Sequence, residues 1–226
     1  MLCAISLRQE KNKHGEDIDV LEQRYIHYFE KFGLKLLLIP NGHDVDYYFE
    51  KFPIERVVLS GGNDVDPQMY GGKREEGMSI VSERDITERR IVELAVKKKI
   101  PLLGICRGME FLNIYFGGKL INIKNEYGKE AHLPGKEHPL HILDGQELLR
   151  KEVRVNSFHN QALTEKELSS NLQAFAVSDE GIIEGFNHSS LPLVGVQWHP
   201  ERESPDEEFN AQLVKAFVEG KLWWKR

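Results

Sequence analysis

Apolar runs alternating with helical patterns constrain this chain most. The runs are "LCAISL" (2–7), "KLLLIP" (35–40), "RVVLSGG" (56–62), "IPLLGIC" (100–106) and "LPLVGVQWHP" (191–200). Helical periodicity fills roughly 19–32, 84–99 and 107–116 between the earlier ones. Continuously apolar strands are buried on both faces, and strands alternating with helices build a doubly wound, mostly parallel α/β sheet.

From about 119 to 190 the pattern changes to short β-rich pieces, "EVRVNSF", "LQAFAVS" and "GIIEGFN", between Gly, Asn and Asp turns. These predict antiparallel additions to the sheet. A last helix is predicted over about 205–220, with Ser204 as N-cap and Pro205 at the first helical position. No repeat, low-complexity tract or linker divides the 226 residues, so one domain over 1–226 is expected.

Composition narrows the function classes. The chain is 40% hydrophobic and 29% charged, enough for a buried core and a solvated surface. A net charge of −6 without a concentrated Lys/Arg block argues against nucleic acid and anionic membrane as partners. The short run Lys97-Lys98-Lys99 reads as a solvated helix end. No signal peptide or membrane helix is visible, and the chain reads as cytoplasmic. Its two cysteines, Cys3 in a strand and Cys106 in a glycine-flanked turn, do not form a disulfide framework.

Cys106 stands at a strand-to-helix turn, in Gly104-Ile105-Cys106-Arg107-Gly108. That is the form of a nucleophile elbow, in which small neighbours let a strained turn push one side chain into a cleft. The following helix aims unpaired N–H groups and its positive dipole end at the sulfur, which favours thiolate. The competing reading is an ordinary buried thiol in a tight turn. "GVQWHPE" (195–201) shifts the balance, because His199 and Glu201 lie two positions apart, on one side of an extended segment. His199 can manage the thiol proton while Glu201 fixes its tautomer. The backbone N–H groups of Gly61 and Gly62, with that of Arg107, are candidates for an oxyanion hole.

Six segments in order, "SGGNDVDPQMYG" (60–71), "ERDITE" (83–88), "GICRGMEFLN" (104–113), "VNSFHNQAL" (155–163), "SDEGIIEG" (178–185) and "GVQWHPE" (195–201), closely resemble the class I glutamine amidotransferase superfamily. Within it they resemble the γ-glutamyl hydrolase-like branch, peptidase family C26. The resemblance implies a flavodoxin-like fold and a triad of Cys106, His199 and Glu201. It also implies a γ-carbonyl held under the N–H groups of Gly62 and Arg107. Substrate contacts are expected from Gly61, Asn63 and Glu110, and from the loop of Asn156, Ser157, Phe158 and His159. Family members usually carry Gln where this chain has Glu110; a carboxylate there can hold an α-ammonium or repel an α-carboxylate.

Asp85 and Glu88 match the family's acidic pair, with helix capping an equally good reading. "HLPGKEHPLH", with His132, His138 and His141, has no metal-ligand spacing, and neither metal nor cofactor is expected. Partners reduce to a small-molecule γ-glutamyl substrate and, as an open alternative, a second copy of the chain.

The function expected from the resemblance is hydrolysis of a γ-glutamyl amide through a glutamyl thioester, releasing glutamate. The leaving group is a small amine, as in γ-glutamyl-GABA, or a nucleotide amidate, as in the γ-glutamyl-CDP-amidate of capsule biosynthesis. Alternatives are a glutaminase subunit that supplies ammonia to a synthetase, or a non-enzymatic binding module. Local basic content at 66–90 and 124–141 (Lys73, Arg74, Arg84, Arg89, Lys124, Lys129, Lys136) raises the expectation of an anionic leaving group.

Overall fold

The computed structural model describes residues 1–123, 135–143 and 152–220. The chain opens with β1 (Leu2–Ser6), β2 (Arg8–Lys11), β3 (Asp17–Val20), α1 (Gln23–Glu30) and β4 (Lys35–Ile39). It continues through α2 (Val45–Lys51), β5 (Ile54–Leu59), a 3-10 turn (Pro67–Tyr70), α3 (Ser82–Lys98), β6 (Leu102–Ile105) and α4 (Arg107–Tyr115). The remainder is β7 (Ile121–Asn122), β8 (Lys136–Ile142), β9 (Glu152–Ser157), β10 (Gln161–Ala162), β11 (Leu172–Val177), β12 (Ile183–His188), β13 (Leu193–Val196) and α5 (Glu207–Glu219).

Nine strands form one sheet in the order β4-β1-β5-β6-β13-β12-β11-β8-β9. The first five are parallel, and β12, β11, β8 and β9 add to them antiparallel. Counted among the parallel strands alone, the order is second, first, third, fourth, fifth, which is the flavodoxin-like winding. Ligands in such sheets gather beyond the carboxyl ends of the strands, and each chemical motif of the sequence lies there: Gly61-Gly62 after β5, Cys106 after β6 and His199 after β13.

Two hydrophobic cores cover the faces. On one side Tyr25, Phe29, Leu213 and Phe217 from α1 and α5 pack on Ile5, Val58, Leu103 and Val194. On the other, Ile91 and Ala95 from α3 and Met109 and Leu112 from α4 pack on Ala4, Val57 and Leu59. Alternate residues of each strand thus face opposite cores, as a doubly covered sheet requires.

The expected antiparallel pieces are present, whereas three boundaries differ. The helix predicted from residue 19 starts at Gln23, because Arg8–Lys11 and Asp17–Val20 pair as a hairpin. The Asn12 side chain closes its turn, accepting from the N–H groups of His14 and Glu16 at 2.8 and 3.1 Å. The final helix begins at Glu207 rather than 205, with Asp206 at the N-cap position and Ser204 not capping it. The Asp206 carboxylate instead accepts from the Arg154 N–H at 2.7 Å, tying the helix to β9. The last parallel strand ends at Val196; the Gln197 N–H still bonds the Glu184 carbonyl of β12 at 2.8 Å, and the chain turns after it. Among the described residues no helix is long and apolar enough to cross a membrane.

Candidate active site

Cys106 has φ 52° and ψ −111°, a conformation that L-residues rarely adopt, between the last residue of β6 and the first of α4. Strain of this kind survives only where surroundings hold it. Its N–H bonds the Val196 carbonyl at 2.8 Å, prolonging the β6–β13 pairing by one step, before the chain turns into α4. Glycine at 104 and 108 permits that turn. A Cβ on Gly104 would sit 2.7 Å from the Gly108 carbonyl, and one on Gly108 would overlap the backbone of Leu59. The elbow is therefore pressed against β5, and its glycines are sterically required.

The sulfur's electrostatics differ from the sequence expectation. Burial pushes the Cys106 thiol well up, the Glu110 and Glu201 carboxylates add to that, and the Arg107 N–H bonded to the sulfur opposes it. These surroundings together oppose ionisation of the thiol, so forming the thiolate calls for a proton acceptor beside it. Cys3, also reduced, is fully buried in the core and raised by desolvation.

His199 Nδ1 stands 2.6 Å from Glu201 Oε1, both buried. The pair forms in the turn after β13 and not along an extended segment. Asn156 holds that turn: its Oδ1 accepts from the His199 N–H at 2.9 Å, and its Nδ2 donates to the carbonyls of His199 and Glu203 at 2.8 and 3.0 Å. Phe158 meets the imidazole edge-on at 5.6 Å and carries the Arg202 guanidinium on its face at 4.2 Å. Asn156 and Phe158, expected at the substrate, are thus engaged in placing His199.

This arrangement yields a first test. Asn156→Ala strips three hydrogen bonds from a buried turn, which costs about 2–3 kcal/mol. Because it lets the imidazole drift, kcat should fall about 100-fold with KM little changed. Steady-state kinetics beside a urea melt separates this from simple unfolding.

Gly61 lies against the imidazole; a Cβ there would come within 2.7 Å of His199 Cε1. Its N–H donates to the buried Tyr25 hydroxyl at 2.9 Å and is therefore taken, which corrects its candidacy as an oxyanion donor. Gly62, at φ 113°, stays a candidate for that role, while the Arg107 N–H points at the Cys106 sulfur. Asn63 is likewise engaged: its amide exchanges hydrogen bonds with the Gln9 backbone at 3.0 and 2.9 Å, and Arg84 donates to its Oδ1 at 3.1 Å. A cleft of about 1100 Å³ opens beside Gly62 and Asn63.

Asp85 and Glu88 do not cap a helix. The Arg107 side chain runs beneath the elbow to both carboxylates, and Arg84 Nε reaches Glu88 Oε1 at 3.0 Å. Arg84 Nη2 also donates to the Ser60 and Gly61 carbonyls at 2.7 and 2.9 Å. Although burial opposes ionisation of Glu88, Arg107 and Arg84 hold its carboxyl below the usual range; at Asp85 burial prevails and the pKa is raised. This network clamps the Ser60–Asn63 turn to the Cys106 turn, a role invisible in the spacing of the residues.

Arg84 is thus buried, and Arg74 pairs with Asp66 at 2.5 Å, so two of the cations expected at an anionic leaving group are already neutralised. Lys124, Lys129 and His132 lie outside the described residues.

Glu110 reaches toward the sulfur side of the elbow, where Gln197 Nε2 donates to its Oε1 at 2.9 Å and lies 3.8 Å from Cys106 Sγ. Gln197 stands inside "GVQWHPE" but was not singled out by the sequence, since nothing there shows that it turns toward the thiol. Burial pushes the Glu110 carboxyl up to about 7, against the Gln197 bond and the nearby His159. A carboxyl whose folded pKa exceeds its unfolded value of 4.5 favours folding fully below 4.5 and loses that advantage as pH rises toward 7. Glu110→Gln should therefore gain on the wild type by on the order of 3 kcal/mol between pH 5 and pH 8. Urea unfolding at the two pH values checks this; a constant gap contradicts it.

The loop residues Ser157 and His159 are buried as well. His159 Nδ1 donates to the Gln161 carbonyl at 2.8 Å while Nε2 faces Glu184 Oε1 at 3.5 Å. Burial works against its protonation, but Glu184 outweighs that and raises its pKa. His138 approaches the same oxygen at 3.6 Å. Sequence spacing missed this cluster because its members come from three separate segments.

Comparison with known proteins agrees with the fold. The chain is 28% identical over 215 residues to the glutamine amidotransferase-like protein YvdE of Lactococcus lactis, covering 91% of this chain and 90% of that one. It is 32% identical over 133 residues to the gamma-glutamyl-CDP-amidate hydrolase of Campylobacter jejuni, a match spanning 59% of this chain and 58% of the relative. The crystal structure of a glutamine amidotransferase from Thermotoga maritima superposes with a TM-score of 0.59 at 16% identity, over 99% of this chain and 89% of that one, and shares the fold. The Peptidase C26 family model matches residues 1–201, and the chain belongs to that glutamine amidotransferase-like hydrolase family.

Proposed function

We propose that this protein hydrolyses γ-glutamyl amides with Cys106 as nucleophile, His199 as acid and base, and Glu201 as the group that orients and stabilises the imidazolium. One observation carries the reading: a strained cysteine elbow and a buried His–Glu pair stand at the ends of two adjacent, hydrogen-bonded strands, β6 and β13.

The resting thiol gives its proton to His199 as the sulfur attacks the γ-carbonyl. The oxyanion forms under the N–H groups of Gly62 and Arg107. The imidazolium then protonates the departing nitrogen, leaving a glutamyl thioester on Cys106 and a free amine. His199 next takes a proton from water, whose oxygen attacks the thioester, and returns it to the sulfur as glutamate leaves.

The test is glutamate release by the purified chain from a panel of γ-glutamyl amides: glutamine, a small-amine conjugate and a γ-glutamyl nucleotide amidate, compared by kcat/KM. Preference for a conjugate over glutamine supports the hydrolase. Activity on glutamine alone, rising only with a partner synthetase, replaces it with the glutaminase subunit, and no turnover of any member overturns both. Inhibition by a nucleoside diphosphate that weakens with salt would assign the anionic leaving group.

A further inference from the structure

We propose that His138, His159 and Glu184 form a binding site for a divalent transition-metal cation of the zinc class, joining β8, the segment after β9, and β12. One ligand atom from each lies within 4.8 Å of the others, and among the described residues this is the cluster of such groups able to hold an ion. Glu184 and His159 are fully shielded from solvent, and His138 retains 15% exposure, a single approach to the cluster.

The distances leave room for a shared cation. The Nε2 atoms of His138 and His159 stand 3.6 and 3.5 Å from the same Glu184 oxygen. That exceeds the ordinary range of an N–H···O bond. Ligands at roughly 2.0–2.2 Å from a tetrahedral zinc ion are separated from one another by about 3.4 Å.

Tautomers point the same way. His138 Nδ1 lies 3.2 Å from the Pro139 carbonyl and His159 Nδ1 lies 2.8 Å from the Gln161 carbonyl. A carbonyl only accepts, so each Nδ1 carries a proton and each Nε2 is the ring atom that faces the Glu184 carboxylate. A cation placed between these three atoms would take a lone pair from each Nε2 and the charge of the carboxylate. Backbone carbonyls on the distal nitrogens are also the usual outer support of metal-bound histidines. Two histidines and one carboxylate leave a fourth position to water, a donor set suited to zinc. The competing source of positive charge is the proton, placing an imidazolium on Glu184, and the experiment separates the two.

The full-length chain is prepared as Cys106→Ala, so that the thiol cannot contribute a ligand, stripped with chelator and titrated with zinc chloride by calorimetry at pH 7.5. The expected result is one equivalent bound, a Tm that rises with zinc, and a tetrahedral d–d spectrum when cobalt(II) replaces zinc. His138→Gln in the same background, confirmed as folded by circular dichroism, should weaken zinc by more than about 100-fold. Because His138 is the most exposed of the three, this change spares the core. Absence of stoichiometric binding overturns the proposal, as does unchanged affinity in His138→Gln. A nitrogen NMR signature of doubly protonated His138 or His159 at saturating zinc overturns it equally. This result stands or falls independently of hydrolytic activity.

Discussion

Cys106→Ala is expected to lose on the order of 10⁴-fold or more in kcat/KM on whichever γ-glutamyl amide the wild type turns over best, while remaining folded. In the proposed mechanism the thiol forms the covalent intermediate, and its removal leaves the proposed donors of Gly62 and Arg107 to act on a carbonyl that water must attack unaided. His199→Ala should be nearly as damaging, because a buried neutral thiol raised by desolvation and by Glu110 and Glu201 cannot ionise without a proton acceptor. Members of one catalytic unit lose activity once, so the double variant Cys106→Ala/His199→Ala should fall no further than either single change. Rapid acid quench and mass spectrometry should find the glutamyl adduct on the peptide that carries Cys106. Multiplicative losses in the double variant, or an adduct elsewhere, would reject the assignment.

The parts of this molecule legible in the sequence are those in which local pattern and global role coincide. Buried parallel strands must be continuously apolar, so "LCAISL" and "RVVLSGG" declared themselves, and α3 and α4 followed from helical periodicity between strands. Cys106, His199 and Glu201 stood out as candidates because a glycine-flanked elbow and a His-x-Glu spacing are themselves chemical constraints. What stayed hidden depends on tertiary approach. Asn156 looks like a substrate-loop amide until its bonds to the His199 backbone are seen. Gly61 looks like an oxyanion donor until Tyr25, 36 positions earlier, takes its N–H. Asp85 sits in the first turn of α3 and Glu88 about one turn later, and only the fold brings Arg107 beneath them. The hairpin of β2 and β3 was missed for another reason: its polar, half-exposed strands carry little periodic signal, and a side-chain-closed turn at Asn12 decides it.

Glu88→Ala should produce the largest loss of stability, about 3–5 kcal/mol, or roughly 10 °C or more in Tm for a domain of this size. Glu88 is fully buried between two arginines, Arg84 and Arg107, which are themselves shielded from water. Removing it leaves two guanidinium groups facing each other with Asp85 alone to compensate, in a region where burial already lowers the Arg84 pKa to about 10. An unpaired buried charge costs far more than the intact pair contributes, so the effect should exceed that of a cavity of similar size. The damage should also reach catalysis, because Arg84 holds the carbonyls of Ser60 and Gly61 while Arg107 opens the helix behind Cys106. At a temperature where Glu88→Ala is still fully folded, kcat should drop as Gly62 and the thiol lose their common register. Glu88→Gln, which keeps the shape and one acceptor but not the charge, should recover part of the activity and less of the stability. If instead Glu88→Ala melts within about 1 kcal/mol of wild type, the network contributes no more than a surface ion pair, and another contact must hold the two turns together.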